Sequence, residues 1–144
     1  MFIVNTEAAI FRDGKYLLIR RSEKEEHAGG KLSLVGGKVD IEGFSSDILE
    51  RTIAREVAEE VGLKLTARPR YIQSTSFVTD TGQDVVNVYF LYENPVGDPY
   101  IASADEVDGI YWLLPDEILN HTELPEYLKE SIEQAEALRK LTQT

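Results

Sequence analysis

Gly36-Gly37-Lys38-Val39-Asp40 leads through a short loop into Arg55-Glu56-Val57-Ala58-Glu59-Glu60-Val61-Gly62-Leu63. From about Asp47 to Val61 the apolar spacing is helical, with Ser45 or Ser46 available as N-cap and Gly62 as the C-terminal stop. At about 100° per residue, with Glu56 set at zero, Glu59 falls near 300° and Glu60 near 40°. Three carboxylates therefore share an arc of roughly 100° that borders the apolar stripe of Leu49, Ile53, Val57 and Val61. Like charges three and four residues apart repel one another, and the C-terminal half of a helix disfavours anions. Arg55 and Arg51 offset only part of that charge. Two penalties at one place point to a compensating ligand, and a hard divalent cation bound through oxygen would supply it. The Gly36-Gly37 turn ahead of the helix allows backbone carbonyls to come close to such an ion. Without that turn, such a cluster reads more readily as an ordinary solvated acidic helix face.

Outward from this segment, residues 2–11 and Tyr16-Leu17-Leu18-Ile19 read as strands joined by the Asp13-Gly14 hairpin turn. Residues 21–31 are charged, end in Gly29-Gly30 and read as a mobile loop; Leu32 to Val35 is a short buried strand. Residues 70–78 and 84–92 flank a Thr79-Asp80-Thr81-Gly82 turn as paired strands. Val85 to Tyr92 is apolar on both alternating faces, as expected of a central strand covered on both sides. Residues 93–106 form an acidic loop, Gly109 to Leu114 another strand, and Pro115 opens a short helical turn. After Pro125, Leu128, Ile132, Ala135, Leu138 and Leu141 recur at helical steps. The sum is an α+β domain in which a mixed sheet carries one internal and one terminal helix on opposite faces.

The chain has 144 residues, enough for one ordinary domain with a hydrophobic core. It has no cysteine, which excludes disulfide scaffolds, zinc–thiolate sites and thiol nucleophiles, and two histidines are too few for a histidine metal site. With 15 Lys+Arg against 26 Asp+Glu, the formal charge of −11 argues against a nucleic-acid polymer as partner. The N-terminal residues lack a basic region and do not read as a signal peptide, and no apolar run is long enough to span a membrane. The expectation is a cytoplasmic protein.

Gly37, Asp47 and the run from Arg55 to Leu63 resemble the Nudix box of the MutT-like hydrolases. The family pattern has a glycine, then an acid at the head of the helix, then Arg-Glu-aliphatic-any-Glu-Glu-any-Gly-aliphatic. The second half matches at every specified position. The lead-in from Leu17 to Ser22 and Leu34 to Gly37, and the later Glu106, Trp112-Leu113 and Asp116-Glu117, are similar too, so the likeness spans most of the chain. There are two departures. Gly37 to Leu63 is four residues longer than the family's box, with Gly43, Phe44 and Ser45 in the insertion, and the first box glutamate is matched by the shorter Asp47. Asp47 stands about half a turn around the helix from Glu56, so its expected role is as cap or dipole partner and not as a metal ligand.

The resemblance implies an α/β/α sandwich over residues 1–144 as a single domain, its mixed sheet lying between the catalytic helix and the C-terminal helix. It implies hydrolysis of a nucleoside diphosphate linked to another group, with Mg²⁺ or Mn²⁺ as cofactor and a small nucleotide as substrate. By position, Glu56, Glu59, Glu60 and Gly37 are the implied metal ligands, and Arg55 orients the glutamates. Glu56 or Glu106 is the implied general base, and a homodimer follows by analogy alone. The signatures of the ADP-ribose, dinucleoside polyphosphate, NADH and coenzyme A subfamilies are not apparent. A canonical or oxidised nucleoside triphosphate is the substrate by elimination. Tyr89, Phe77 and Asn87 are candidates for a base pocket as well as for the core. The alternative is a catalytically weak module of the same fold that senses a nucleotide or binds a partner.

Overall fold

The computed structural model describes residues 1–141, so the last three residues of the expected 1–144 domain lie outside the described residues. Strands β1 (Phe2–Arg12) and β2 (Lys15–Arg21) form the hairpin read from Asp13-Gly14. Both turn residues take positive φ, 52° and 81°, as a two-residue turn matched to strand twist requires. Short strands β3 (Leu32–Ser33) and β4 (Val35–Lys38) follow, then helix α1 (Ile48–Val61). Strands β5 (Arg70–Val78), β6 (Asp84–Glu93) and β7 (Val107–Leu113) precede helices α2 (Pro115–Leu119) and α3 (Glu126–Leu141).

The strands form one seven-stranded mixed sheet in the order β3-β2-β1-β6-β5, with β4 paired to β1 and β7 to β2. Strand β1 runs parallel to β6 from Phe2↔Asp84 to Phe11↔Glu93, while β4 lies antiparallel beside its first half. Alternation along β1 divides the core. Ala8 and Ile10 pack with Ile53, Val57 and Val61 of α1, whereas Ala9 and Phe11 pack with Leu128, Ile132 and Ala135 of α3. Ile118 of α2 joins the second cluster, so the expected sandwich, with helices on opposite faces of a mixed sheet, is what the chain forms.

Three local expectations need correction. Asp47, and neither Ser45 nor Ser46, stands at the N-cap of α1, in the left-handed region (φ 55°) and with no side-chain cap bond. The Ser45 hydroxyl instead bonds Glu42 and Arg51, and the Ser46 carbonyl accepts from Arg51 Nε at 3.0 Å. Second, β6 is interior to the sheet but not equally covered: Val85, Asn87, Tyr89 and Leu91 are buried, while Val86, Val88 and Phe90 are half-buried. Helix α1 packs over β1 and β4 and leaves that face of β6 partly open. Third, Gly36 and Gly37, read as a turn, lie within strand β4, paired with Glu7 and Thr6 of β1. Gly62 ends α1 as expected, at φ 68°, its N–H bonded to the Ala58 carbonyl.

Candidate active site

Glu56 and Glu60 lie one turn apart on α1, and the wheel that places Glu60 inside the apolar stripe explains its burial: it is only 4% exposed. Glu106 comes from the loop ahead of β7. That loop is pinned because Ser22 N donates to the Glu106 carbonyl and Glu106 N to the Ser103 carbonyl. Carboxylate oxygens of Glu56, Glu60 and Glu106 all lie within 4.8 Å of one another. Gly36 and Gly37 of β4 form the facing wall. A methyl group at Gly37 would come within 2.5 Å of the Glu56 carboxyl carbon, so glycine is needed for the acids to sit against the strand. The resulting cavity, of about 180 Å³, is also lined by Arg21, Glu25 and Lys38.

The electrostatics are those of a site lacking positive charge. Burial, followed by the charges of Glu56 and Glu106, pushes the Glu60 carboxyl up to about 9. Burial also raises Glu56, against the pull of Arg55, and raises Glu106 with help from Glu25 and Glu59. Glu60 Oε2 is buried with no hydrogen-bond partner, and such an atom is costly to leave alone. Arg55 reaches Glu56 Oε1 at 3.3 Å and Asp40 Oδ2 at 3.4 Å, which fixes the Glu56 side chain from outside the cavity. Arg51 is turned away to Glu42.

Of the residues singled out in the sequence, the structure brings together Glu56, Glu60, Glu106 and Gly37, with Arg55 beside them. Glu59 is exposed and stands outside the trio of close oxygens, near enough to raise Glu56 and Glu106 by its charge. Asp47 stands at the start of α1, away from the cavity lining. Sequence reasoning missed Arg21, Glu25 and Lys38. Lys38 directly follows the glycine pair, and Arg21 ends a strand whose alternation puts it on the α1 face with Leu17 and Ile19. That alternation was a usable signal.

The family model for the NUDIX domain matches residues 1–135. The MutT NUDIX hydrolase from Burkholderia pseudomallei is 29% identical, with a TM-score of 0.75 over 93% of this chain and 98% of that one. The MutT protein from Methanosarcina mazei Go1 is also 29% identical, with a TM-score of 0.80 over 96% of each chain. In fold alone, the NUDIX domain of Shewanella oneidensis NrtR, solved with ADP ribose, is similar at 22% identity and a TM-score of 0.69, over 99% of this chain and 88% of that one. No curated protein matches the chain significantly.

Proposed function

The chain belongs to the NUDIX domain family and is a pyrophosphohydrolase acting on nucleoside diphosphate derivatives, and from that premise we propose that it hydrolyses the pyrophosphate linkage of a nucleoside triphosphate, canonical or oxidised, with a divalent cation held by Glu56, Glu60 and Glu106. The observation that carries this reading is the orphaned, buried Glu60 Oε2 inside a trio of converging carboxylate oxygens. That donor set, all hard oxygen, fits Mg²⁺ or Mn²⁺, with Glu59 at its margin and the Gly37 carbonyl as a further ligand. When bound, the cation supplies charge to the pyrophosphate oxygens and acidifies water.

The chain's own residues do the rest. Glu56, held by Arg55, is fixed in orientation. Glu106, on a pinned loop with a raised proton affinity, is placed to accept a proton from attacking water, with Glu56 as the other candidate base. Arg21 lines the cavity where the phosphates would lie and supplies positive charge that the acidic chain otherwise lacks. Residues 1–144 act as one domain, located in the cytoplasm, with a small nucleotide as ligand and a homodimer as the assembly.

A panel of nucleoside triphosphates, oxidised triphosphates and sugar-linked diphosphates with Mg²⁺ tests this, read as pyrophosphate or phosphate release. The expected result is turnover of triphosphates that stops in Glu60→Gln. Ligand-induced thermal stabilisation without turnover of any member would favour the sensing module instead.

A further inference from the structure

The end of β2 opens into the carboxylate cavity beside a further acid. Arg21 and Glu25 both line that cavity, with Arg21 Nη2 3.6 Å from Glu25 Oε2 and each side chain 28% exposed. They stand four positions apart, and the chain between them is folded back on itself. Glu25 N donates to the Ser22 carbonyl at 3.0 Å, and Lys24 N to the Ser22 hydroxyl at 3.2 Å. The guanidinium has a second hold, since Arg21 Nε donates to the His27 carbonyl at 3.1 Å. Gly29 lies so close to the Ser22, Glu23 and Glu25 carbonyls that an added carbon would stand 3.1–3.2 Å from them. The same turn is joined to the loop that carries Glu106: Ser22 N donates to the Glu106 carbonyl at 2.9 Å, and Lys24 Nζ to Asp105 Oδ1 at 3.2 Å.

Before a cation binds, Glu25, Glu56, Glu60 and Glu106 thus share a lining in which the one arginine is already paired. Lys38, the other cation of the lining, is exposed. Burial raises the Glu60 and Glu106 carboxyls, and in both the charge of Arg21 works the other way. A carboxylate and a phosphate make the same demand on a guanidinium, oxygens set against its N–H groups. Glu25 therefore occupies on Arg21 the place that a phosphate would take. Glu26, next in the chain, is exposed and outside the cavity lining, so it differs from Glu25 in position and not in charge.

We propose that Glu25 is a latch on Arg21 that makes binding of a diphosphate conditional on the cation. Without the cation, Glu25 holds and neutralises the guanidinium, and a phosphate entering the cavity meets four carboxylates and no unpaired arginine. Once a divalent cation offsets the acids, the diphosphate displaces Glu25 and takes Arg21. This deepens, and rests on, the pyrophosphohydrolase reading above, and it adds an order: the anion enters with the cation or after it, and not before. Glu25 is in this sense a specificity-determining residue, which rejects nucleotide or pyrophosphate that carries no metal.

Calorimetric titration of inorganic pyrophosphate into the full chain, with Mg²⁺ and in metal-free buffer, tests the latch without requiring turnover. Wild type is expected to bind pyrophosphate with Mg²⁺ and at least about tenfold more weakly without it. Glu25→Gln should tighten metal-free binding by about tenfold, change binding with Mg²⁺ far less, and keep the melting temperature. Glu26→Gln, which removes the same charge from the same loop, should bind as wild type does. The gain should vanish when Arg21→Gln is combined with Glu25→Gln, because the released guanidinium is its source. Equal metal-free binding by wild type and Glu25→Gln, an equal gain in Glu26→Gln, a gain that survives the loss of Arg21, or no pyrophosphate binding by any form would each overturn it. A metal-free gain specific to Glu25→Gln, in a chain that hydrolyses no nucleotide, would support the latch and remove the catalytic reading alone.

Discussion

Glu60 carries the largest electrostatic penalty in the site, because it is buried and faces Glu56 and Glu106. A carboxyl whose folded pKa lies above its unfolded one stabilises the fold fully below the unfolded value, and that stability is lost as pH rises through the folded value. With Glu60 raised from 4.5 to about 9, chelator-treated protein is expected to lose stability as pH climbs from about 5 to 9. Denaturant melts across that range should show the slope, and Glu60→Gln should flatten it. In the same variant, and in Glu56→Gln, kcat/KM with Mg²⁺ should fall by about a hundredfold or more while circular dichroism stays unchanged. Glu106→Gln separates the two candidate bases: a near-normal rate would assign the role to Glu56. Glu60's burial was legible in the helical wheel, which sets it within the apolar stripe. Glu106 was harder to single out, because Asp105 and Asp108 beside it are equally acidic. The structure turns Asp105 outward to Lys24 and leaves Asp108 exposed.

At the scale of elements, two glycines connect strand and helix to the site. Gly37→Ala should push the Glu56 side chain out of place, because the added carbon would overlap its carboxyl. The expected outcome is a loss of activity of at least about tenfold, measured by initial rates, with a small change in melting temperature. Gly62→Ala should do the reverse. Its positive φ and the Tyr100 ring 2.2 Å from the added carbon predict a stability loss of about 1–2 kcal/mol in urea. The stop at Gly62 was readable because a left-handed helix end favours glycine. The start near Asp47 was readable as well, but the loss of Ser45 as a cap was not, because the inserted loop binds it through Glu42 and Arg51, contacts that the local sequence does not encode.

Across the whole molecule, the sheet separates two cores: one supports the trio through Ile53, Val57 and Val61, and the other supports α3 through Leu128, Ile132 and Ala135. Ile132→Ala should therefore cost about 2–5 kcal/mol by chemical denaturation and leave kcat near normal below the melting range. Strand and helix positions were legible from periodicity. The parallel pairing of β1 with β6 was not, because it joins segments more than eighty residues apart in sequence and leaves no local pattern. Nor did the sequence show that α1 stops short of β6. The central claim is that the Glu56, Glu60 and Glu106 oxygens converge to hold a divalent cation. Titrating Mn²⁺ into the wild-type chain and into Glu60→Gln by calorimetry tests it most directly. Saturable uptake by the wild type that is lost in the variant is the predicted result; no uptake, or equal uptake by both, would contradict it.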